Sequence, residues 1–144
     1  MNILISACLL GQMCRYDGKS KHYDTIQRLL QRPDVHLIPV CPEQAGGLAT
    51  PRDPAERQGR RVVTCHDNDV TAAYERGAAE VLRLARLFHC TAAILKDRSP
   101  SCGSGAIYDG TFTHTVIAGD GVTAALLKRE GLTVVNENTV EAIY

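Results

Sequence analysis

The sequence has no long apolar segment and no excess of charge of either sign. No stretch approaches the ~20 consecutive apolar residues of a membrane-spanning helix. The 16 basic residues equal the 16 acidic residues, so no basic field favours a nucleic-acid polymer or an anionic membrane as partner. The first residues, Met1 to Ile5, carry no charged segment typical of a signal peptide. We therefore expect a cytoplasmic protein that does not bind membranes.

Two common signatures of binding sites are also missing. None of the six cysteines forms the Cys-x2-Cys pair that is typical of structural zinc. Gly103 and Gly105 lack the context of a dinucleotide-binding or phosphate-binding glycine loop. A chain of 144 residues folds without disulfides, and cytoplasmic cysteines more often bind metal or perform chemistry. The cysteines are therefore the first candidates for a functional site.

Strand-like and helix-like segments alternate along the chain, which predicts one α/β domain over residues 1–144. Apolar runs predict strands at 2–7, 35–40, 91–95 and 132–135, with a short extended piece at 61–64. Helices are predicted at 22–31, from Asp67 or Asp69 to about Phe88, at 121–129 and at 139–143. This order predicts a central, mostly parallel sheet with helices on both faces. A β-hairpin is expected at 106–117, with its turn at Asp109-Gly110 and its second arm at Thr111-Phe112.

Three cysteines follow three different predicted strands. Cys8 and Cys41 come directly after the first two strands, and Cys102 lies in the loop after the third. In an open parallel sheet, ligands bind beyond the carboxyl ends of the strands. The sequence therefore predicts that Cys8, Cys41 and Cys102 converge in one functional site.

The other three cysteines are weaker candidates. We expect Cys90, at the start of a strand, and Cys65, near a helix start, to be small buried hydrophobic residues. A helix N-terminus can lower the pKa of a thiol, which leaves a reactive Cys65 open. Cys14 shares a loop with Cys8 and is not assigned to either class.

Three thiolates suit zinc or an iron–sulfur cluster as the bound group. Structural zinc usually takes four protein ligands. A cubane cluster on three thiolates leaves its fourth iron open for a substrate atom, which is the arrangement of a catalytic cluster.

The motifs around these cysteines resemble those of the bacterial thiouracil desulfurase-like proteins, long listed as a family of unknown function. The resemblance extends over essentially the whole chain. The matching segments are Ile5-Ser6-Ala7-Cys8-Leu9-Leu10-Gly11, Cys14-Arg15-Tyr16-Asp17-Gly18, Cys41-Pro42-Glu43 with Gly46-Gly47-Leu48, Pro51-Arg52, Asp69-Val70-Thr71, Leu95-Lys96 with Ser99-Pro100-Ser101-Cys102-Gly103, and Ile107-Tyr108-Asp109-Gly110-Thr111-Phe112.

The resemblance implies an enzyme and its cofactor. Desulfurase members of the family carry a [4Fe-4S] cluster on three cysteines, which match Cys8, Cys41 and Cys102 here. The open iron takes the sulfur of a thiolated pyrimidine such as 2-thiouracil, which leaves as sulfide and is replaced by oxygen from water. The implied partner is this small thiocarbonyl substrate, and the chain leaves its exact identity and the oligomeric state open.

Two polar residues near the predicted ligands are candidates for catalysis. Glu43 lies two residues after Cys41, and in a water-poor pocket its carboxylate would serve as general acid or base. Ser101 precedes Cys102 and has a hydroxyl to donate to substrate or water.

Further residues are candidates for substrate binding. Gly46, Gly47 and Gly103 would allow a ligand to approach the backbone closely, and Lys96 would pair with an anionic intermediate or with sulfide. Weaker candidates, including a histidine near the first loop, are Arg52, Asp53, Asp17 and His22.

Two other functions remain open from the sequence. One is a non-catalytic protein that binds a cluster or zinc and handles redox state or sulfur. The other is a thiol hydrolase with Cys102 as nucleophile, for which the sequence offers no convincing histidine partner.

Overall fold

The computed structural model describes residues 1–19 and 21–143. Ser20, at the end of the predicted first loop, and Tyr144, the last residue of the predicted domain, lie outside the described residues. None of the helices within the described ranges has the length and hydropathy to span a lipid bilayer.

A four-stranded parallel sheet forms the centre of the fold, with the strand order β2-β1-β5-β8. Its strands are β1 (Asn2–Ser6), β2 (His36–Val40), β5 (Ala92–Ile94) and β8 (Thr133–Val135). Pairing places Leu4 opposite both Ile38 and Ala93, so β1 lies in the middle of the sheet. The predicted parallel sheet is confirmed, and β1 and β5 are apolar on both faces as a doubly covered sheet requires.

Helices cover both faces of this sheet, as predicted. Successive side chains of a strand point to opposite faces; Ile3 and Ile5 therefore pack with helix α1 (Asp24–Leu30) and with two 3₁₀ helices, Ala7–Leu10 and Val140–Ile143. Leu4 points the other way, to helices α3 (Thr71–Leu87) and α4 (Val122–Arg129). The core thus consists of two apolar layers separated by the sheet.

Two antiparallel hairpins extend from this framework. They consist of β3 (Ala55–Gln58) with β4 (Arg61–Thr64), and β6 (Ala106–Tyr108) with β7 (Val116–Ala118). The second hairpin was expected, but its predicted second arm at Thr111-Phe112 is wrong. The buried carboxylate of Glu56 accepts the backbone N–H groups of Gly110 and Phe112 at 3.0 and 3.2 Å. Glu56 therefore binds the N–H groups of Gly110 and Phe112, and the second strand of the hairpin begins only at Val116.

Three short elements were not predicted. Helix α2 (Pro42–Ala45) follows β2 directly, the first 3₁₀ helix follows β1, and β3 precedes β4. Each has only four residues, too few to show a period in the sequence. Helix α3 begins at Thr71 because the Asp69 carboxylate accepts the Thr71 N–H at 2.9 Å, ahead of the first turn.

Candidate active site

A cleft of about 330 Å³ opens at the carboxyl ends of β1, β2 and β5. This is the edge at which an open parallel sheet binds ligands. Residues from the three segments that follow these strands line it, together with residues from the loop before β3 and from helix α3.

Cys8, Cys41 and Cys102 all line this cleft. Cys8 lies in the 3₁₀ helix after β1, Cys41 precedes α2, and Cys102 lies in the loop between β5 and β6. The first two are half-buried and Cys102 is buried. Three separate crossovers therefore bring three thiols to one cavity, at the sheet edge where the sequence places them.

Cys14, which the sequence left unassigned, is a fourth cysteine in the same cleft. Its side chain is buried and interacts with the thiols of both Cys8 and Cys41. The Cys41 thiol also donates to the Cys14 carbonyl oxygen, with Sγ and O 3.7 Å apart. The cleft thus offers four thiols, and its wall carries all the cysteines except Cys65 and Cys90.

The cleft raises the pKa of three of its thiols, those of Cys14, Cys41 and Cys102, and so favours their protonated form. Burial, together with the negative charge of Glu43, raises the pKa of Cys102 to about 12. The hydrogen bond with Cys41 lowers the pKa of Cys14. The hydrogen bond with Cys8 and burial outweigh this effect and raise the pKa to about 11. The hydrogen bond with Cys14 and burial raise the pKa of Cys41. A cation bound here has to displace these protons, since the thiolate is the ligand.

Glu43 lies in the first turn of α2 and points into the cleft wall beside the thiols. Arg52 Nη2 donates to Glu43 Oε2 at 2.8 Å and to the carbonyl oxygen of Cys14 at 3.1 Å. Their side chains are only 9% and 13% exposed, which makes this a mostly buried ion pair. The Tyr74 hydroxyl lies 3.4 Å from the same carboxylate oxygen, at the long end for a hydrogen bond. Arg52 therefore fixes the orientation of Glu43.

Arg52 keeps one donor without a partner. Burial lowers the pKa of its guanidinium, but the charge of Glu43 outweighs this and the pKa is raised, so the group stays charged. Within the described residues its Nε is buried with no hydrogen-bond acceptor. Arg52 lines the cleft, so this unpartnered N–H lies buried within the cleft wall.

Ser99, which the sequence did not single out, lines the cleft, whereas Ser101 does not. The Ser99 hydroxyl oxygen accepts the backbone N–H groups of Ser101 and Cys102, both at 3.1 Å. No acceptor among the described residues takes the proton of this hydroxyl, which leaves it for donation. Ser101 is fully buried, and its Oγ lies 2.8 Å from Oγ1 of Thr123 in α4. The described lining of the cleft thus includes Ser99 and not the predicted Ser101, two residues later.

Lys96 lines the cleft as expected, but two carboxylates hold it. Its Nζ pairs with Asp97 and, at 2.8 Å, with Glu137, whose side chain is buried. Burial lowers the pKa of Lys96, and the hydrogen bonds to both acids outweigh that effect and raise it. Lys96 is therefore charged but largely neutralised by its neighbours.

The three glycines predicted to contact substrate are not among the described residues that line the cleft. Gly46 is buried against α3, where a Cβ would lie 2.0 Å from the Ala73 carbonyl oxygen. A Cβ at Gly103 would lie 2.8 Å from the Ser99 carbonyl oxygen. Gly47 is exposed, with a positive φ of 94° that favours glycine. The close approach at Gly46 and Gly103 is to the protein's own backbone.

The weaker candidates divide between the cleft and the surface. Asp53 lines the cleft rim and is exposed, while Asp17 lies 3.6 Å from Arg15 outside the described lining. His22 is exposed and pairs with Asp24 at 3.0 Å, away from this cleft.

Outside the cleft, Cys90 is buried in the core as predicted. The burial predicted for Cys65 is wrong, because this residue lies in an exposed turn after β4.

Comparison with known proteins identifies the family. The chain matches the family model described as 2-thiouracil desulfurase over residues 3–139. This protein belongs to the 2-thiouracil desulfurase family. The protein YbbK of Bacillus subtilis (strain 168) is 44% identical over 151 residues, covering 98% of this chain and 99% of that one. A solved structure described as the [4Fe-4S]-dependent thiouracil desulfidase TudS superposes with a TM-score of 0.90 and 48% identity, covering 98% of this chain and 93% of that one.

These matches confirm the resemblance expected from the sequence motifs, and the TudS match confirms the α/β fold class. The donor set of the cleft also fits the cofactor in the TudS description. Thiolates are the protein ligands of iron–sulfur clusters, and Cys8, Cys41 and Cys102 reach one cavity from three segments. Arg52, whose guanidinium stays charged, places a positive charge in the wall of the same cavity.

Proposed function

We propose that this protein is a [4Fe-4S]-dependent desulfurase that replaces the sulfur of 2-thiouracil, or of a similar small thiocarbonyl compound, with oxygen from water. The observation that carries the proposal is the convergence of Cys8, Cys41 and Cys102 in one cleft, next to Glu43 and Ser99. Membership of the 2-thiouracil desulfurase family and the likeness to TudS support the same activity.

Cys8, Cys41 and Cys102 would hold the cluster. When bound, the cluster supplies a Lewis-acidic iron with a coordination position that the three cysteines leave open to a sulfur atom. Among the four cleft cysteines, Cys14 is left over in this assignment; its buried thiol lies between Cys8 and Cys41 and packs the wall.

Glu43 would move the protons of the attacking water. A carboxylate that gains and loses a proton during turnover needs a fixed direction and limited contact with bulk water. The buried ion pair with Arg52 meets both needs, because Arg52 occupies one carboxylate oxygen at 2.8 Å. Glu43 thereby presents its second oxygen for the reaction.

Ser99 would act as the second polar group of the reaction. Two backbone N–H groups fix its oxygen, and its proton is free to be donated to a substrate heteroatom. The buried, unpartnered Nε of Arg52, another residue of the cleft wall, would supply a further donor. Together these groups offer hydrogen bonds to a polar ring such as a pyrimidine.

The net charge of the chain and the free state of its cysteines support a cytoplasmic enzyme that acts on a small molecule. All six cysteines are free thiols, which fits the reducing cytoplasm. The balanced charge fits a small-molecule substrate and no nucleic-acid polymer. We propose that a single domain over residues 1–144 carries the whole activity in that compartment.

The test is anaerobic reconstitution with iron and sulfide, followed by iron counting and absorption spectroscopy. We expect about four irons per chain in wild type, and their loss in Cys8→Ala, Cys41→Ala and Cys102→Ala. Cys14→Ala and the core variant Cys90→Ala serve as controls and retain the iron. Zinc in place of iron, held by all four cleft cysteines, would contradict the proposal, as would iron that survives in the three ligand variants.

A further inference from the structure

A second group of metal-ligating side chains lies at the rim of the cleft. One carboxylate oxygen of Asp53, the Cys65 thiol and one ring nitrogen of His66 all lie within 4.8 Å of one another. All three residues are exposed, so a cation can reach them from solvent. Asp53 also lines the cleft, whereas Cys65 and His66 are not among its described lining residues.

The backbone holds the three residues in place without any ion. Ala55 and Thr64 are the last paired residues of the β3–β4 hairpin, and the Cys65 N–H continues the ladder to the Pro54 carbonyl oxygen at 3.0 Å. Asp53 and His66 therefore leave the hairpin side by side. The Thr64 hydroxyl oxygen accepts the N–H of His66 at 3.3 Å, which shapes the turn that carries the ring.

The side chains of Asp53 and His66 lie close together but do not form a hydrogen bond with each other. His66 Nε2 and Asp53 Oδ1 are 3.8 Å apart, beyond hydrogen-bond distance. A gap of this size between two ligand atoms leaves room for a cation that each atom approaches at about 2 Å. Small side-chain rotations then bring the thiol to a similar distance.

We propose that Asp53, Cys65 and His66 form a second metal site, which binds a divalent cation of the zinc class. A thiolate and an imidazole favour Zn²⁺ over the hard cations Mg²⁺ and Ca²⁺, which take oxygen ligands. Three protein ligands leave one tetrahedral position for water or another small ligand. The site is separate from the four cleft cysteines and does not rest on the desulfurase activity.

The first test counts metals in the cluster-loaded protein after anaerobic dialysis against zinc. The loaded cluster occupies Cys8, Cys41 and Cys102 and leaves the cleft without a set of free zinc ligands, so we expect one zinc per chain in addition to the iron. Cys65→Ser, His66→Gln and Asp53→Asn should each weaken zinc binding by more than about 100-fold, with the iron content unchanged. His36→Gln, an exposed histidine at the far end of β2, is the matched control and keeps the zinc.

The second test follows alkylation of Cys65 by iodoacetamide, read out by mass spectrometry of its peptide. Cys65 is the exposed cysteine among the described residues. Zinc should slow its alkylation at least about tenfold, and this protection should vanish in His66→Gln. Magnesium should give no protection. Zinc that leaves the alkylation rate unchanged, or that binds equally to wild type and to all three variants, would overturn the proposal.

Discussion

Two serines near Cys102, Ser99 and Ser101, differ in their surroundings, and we propose different roles for them on that ground. Ser99 lines the cleft and keeps a free hydroxyl proton, whereas Ser101 is buried against Thr123. The sequence favours Ser101 as the proton donor, because it adjoins the predicted cluster ligand Cys102. Both serines lie in an irregular loop around Pro100, where no periodic pattern shows which side chain is buried. Only the backbone geometry shows which of the two hydroxyls lines the cleft.

This assignment predicts opposite phenotypes for a matched pair of variants. Ser99→Ala should lower kcat by about 10²–10⁴, because the cleft loses a proton donor. Ser101→Ala should lower kcat far less than Ser99→Ala, although Ser101 also interacts with the Cys102 thiol. It should lower the free energy of unfolding by about 1–3 kcal/mol, because the buried Thr123 hydroxyl loses its partner. Steady-state kinetics with 2-thiouracil and urea unfolding check both. Equal kcat losses in the two variants would refute the distinction.

A second prediction at this scale concerns how Glu43 is held. Arg52→Lys keeps the positive charge but loses the planar guanidinium, whose two terminal nitrogens bind Thr50 on one side and Glu43 and Cys14 on the other. We expect kcat to fall by about 10- to 100-fold with the iron content intact. Tyr74→Phe, which removes the long 3.4 Å contact, is the matched control and should change kcat by less than about threefold. A larger loss in Tyr74→Phe than in Arg52→Lys would contradict this account.

Among the elements, α2 depends on a close contact with α3. Cβ atoms at Gly46 and Gly77 would lie 2.0 and 1.9 Å from the carbonyl oxygens of Ala73 and Pro42. The two helix backbones therefore touch through these glycines, and this contact positions Glu43 on α2. In a sequence, glycines that allow two helices to touch look the same as glycines that bind a ligand, so the sequence alone predicts Gly46 in the substrate site.

Gly77→Ala should disturb both stability and activity through this contact. The new methyl group forces α2 away from α3, and overpacking of this kind costs about 1–3 kcal/mol. Because Glu43 moves with α2, kcat should also fall. Glu75→Ala, at an exposed position on the same helix, should change stability by less than about 0.5 kcal/mol. Thermal unfolding and kinetics measure both effects, and a neutral Gly77→Ala would contradict the packing argument.

The start of α3 gives a prediction with a defined pH dependence. Hydrogen bonds from Thr71, and then Arg61, hold the pKa of Asp69 at about 2, below its usual value of 3.8. A carboxyl with a lowered pKa stabilises the fold above its unfolded pKa and loses this effect as pH falls through about 2. Asp69→Asn should therefore lower Tm at neutral pH, and the difference should disappear near pH 2. A Tm difference that persists in acid would argue against this cause.

Much of the arrangement of these elements follows from the sequence. The apolar runs and the cysteines directly after them predicted the parallel sheet and the edge at which the thiols meet. The second arm of the β6–β7 hairpin was not predictable, because Glu56, more than 50 residues away, takes the N–H groups of Gly110 and Phe112. A contact between residues so far apart leaves no local pattern.

For the whole molecule, the proposed cluster would join three chain segments that only the fold brings together. Ligand binding to the native state stabilises it, so the loaded protein should unfold at a higher temperature than the iron-free protein. Hydrogen exchange should slow most around Cys8, Cys41 and Cys102. Exposed β7 (Val116–Ala118), outside the described cleft lining, is the internal control and should not change. Uniform slowing, or none near the three cysteines, would contradict a cluster held by them.

The most direct test of the central claim is turnover of 2-thiouracil by the anaerobically reconstituted protein in heavy-oxygen water. We predict uracil that carries the heavy oxygen, together with one equivalent of free sulfide, and no product from the Cys102→Ala variant. Protein that holds a complete cluster and yet releases neither uracil nor sulfide would contradict the proposed activity.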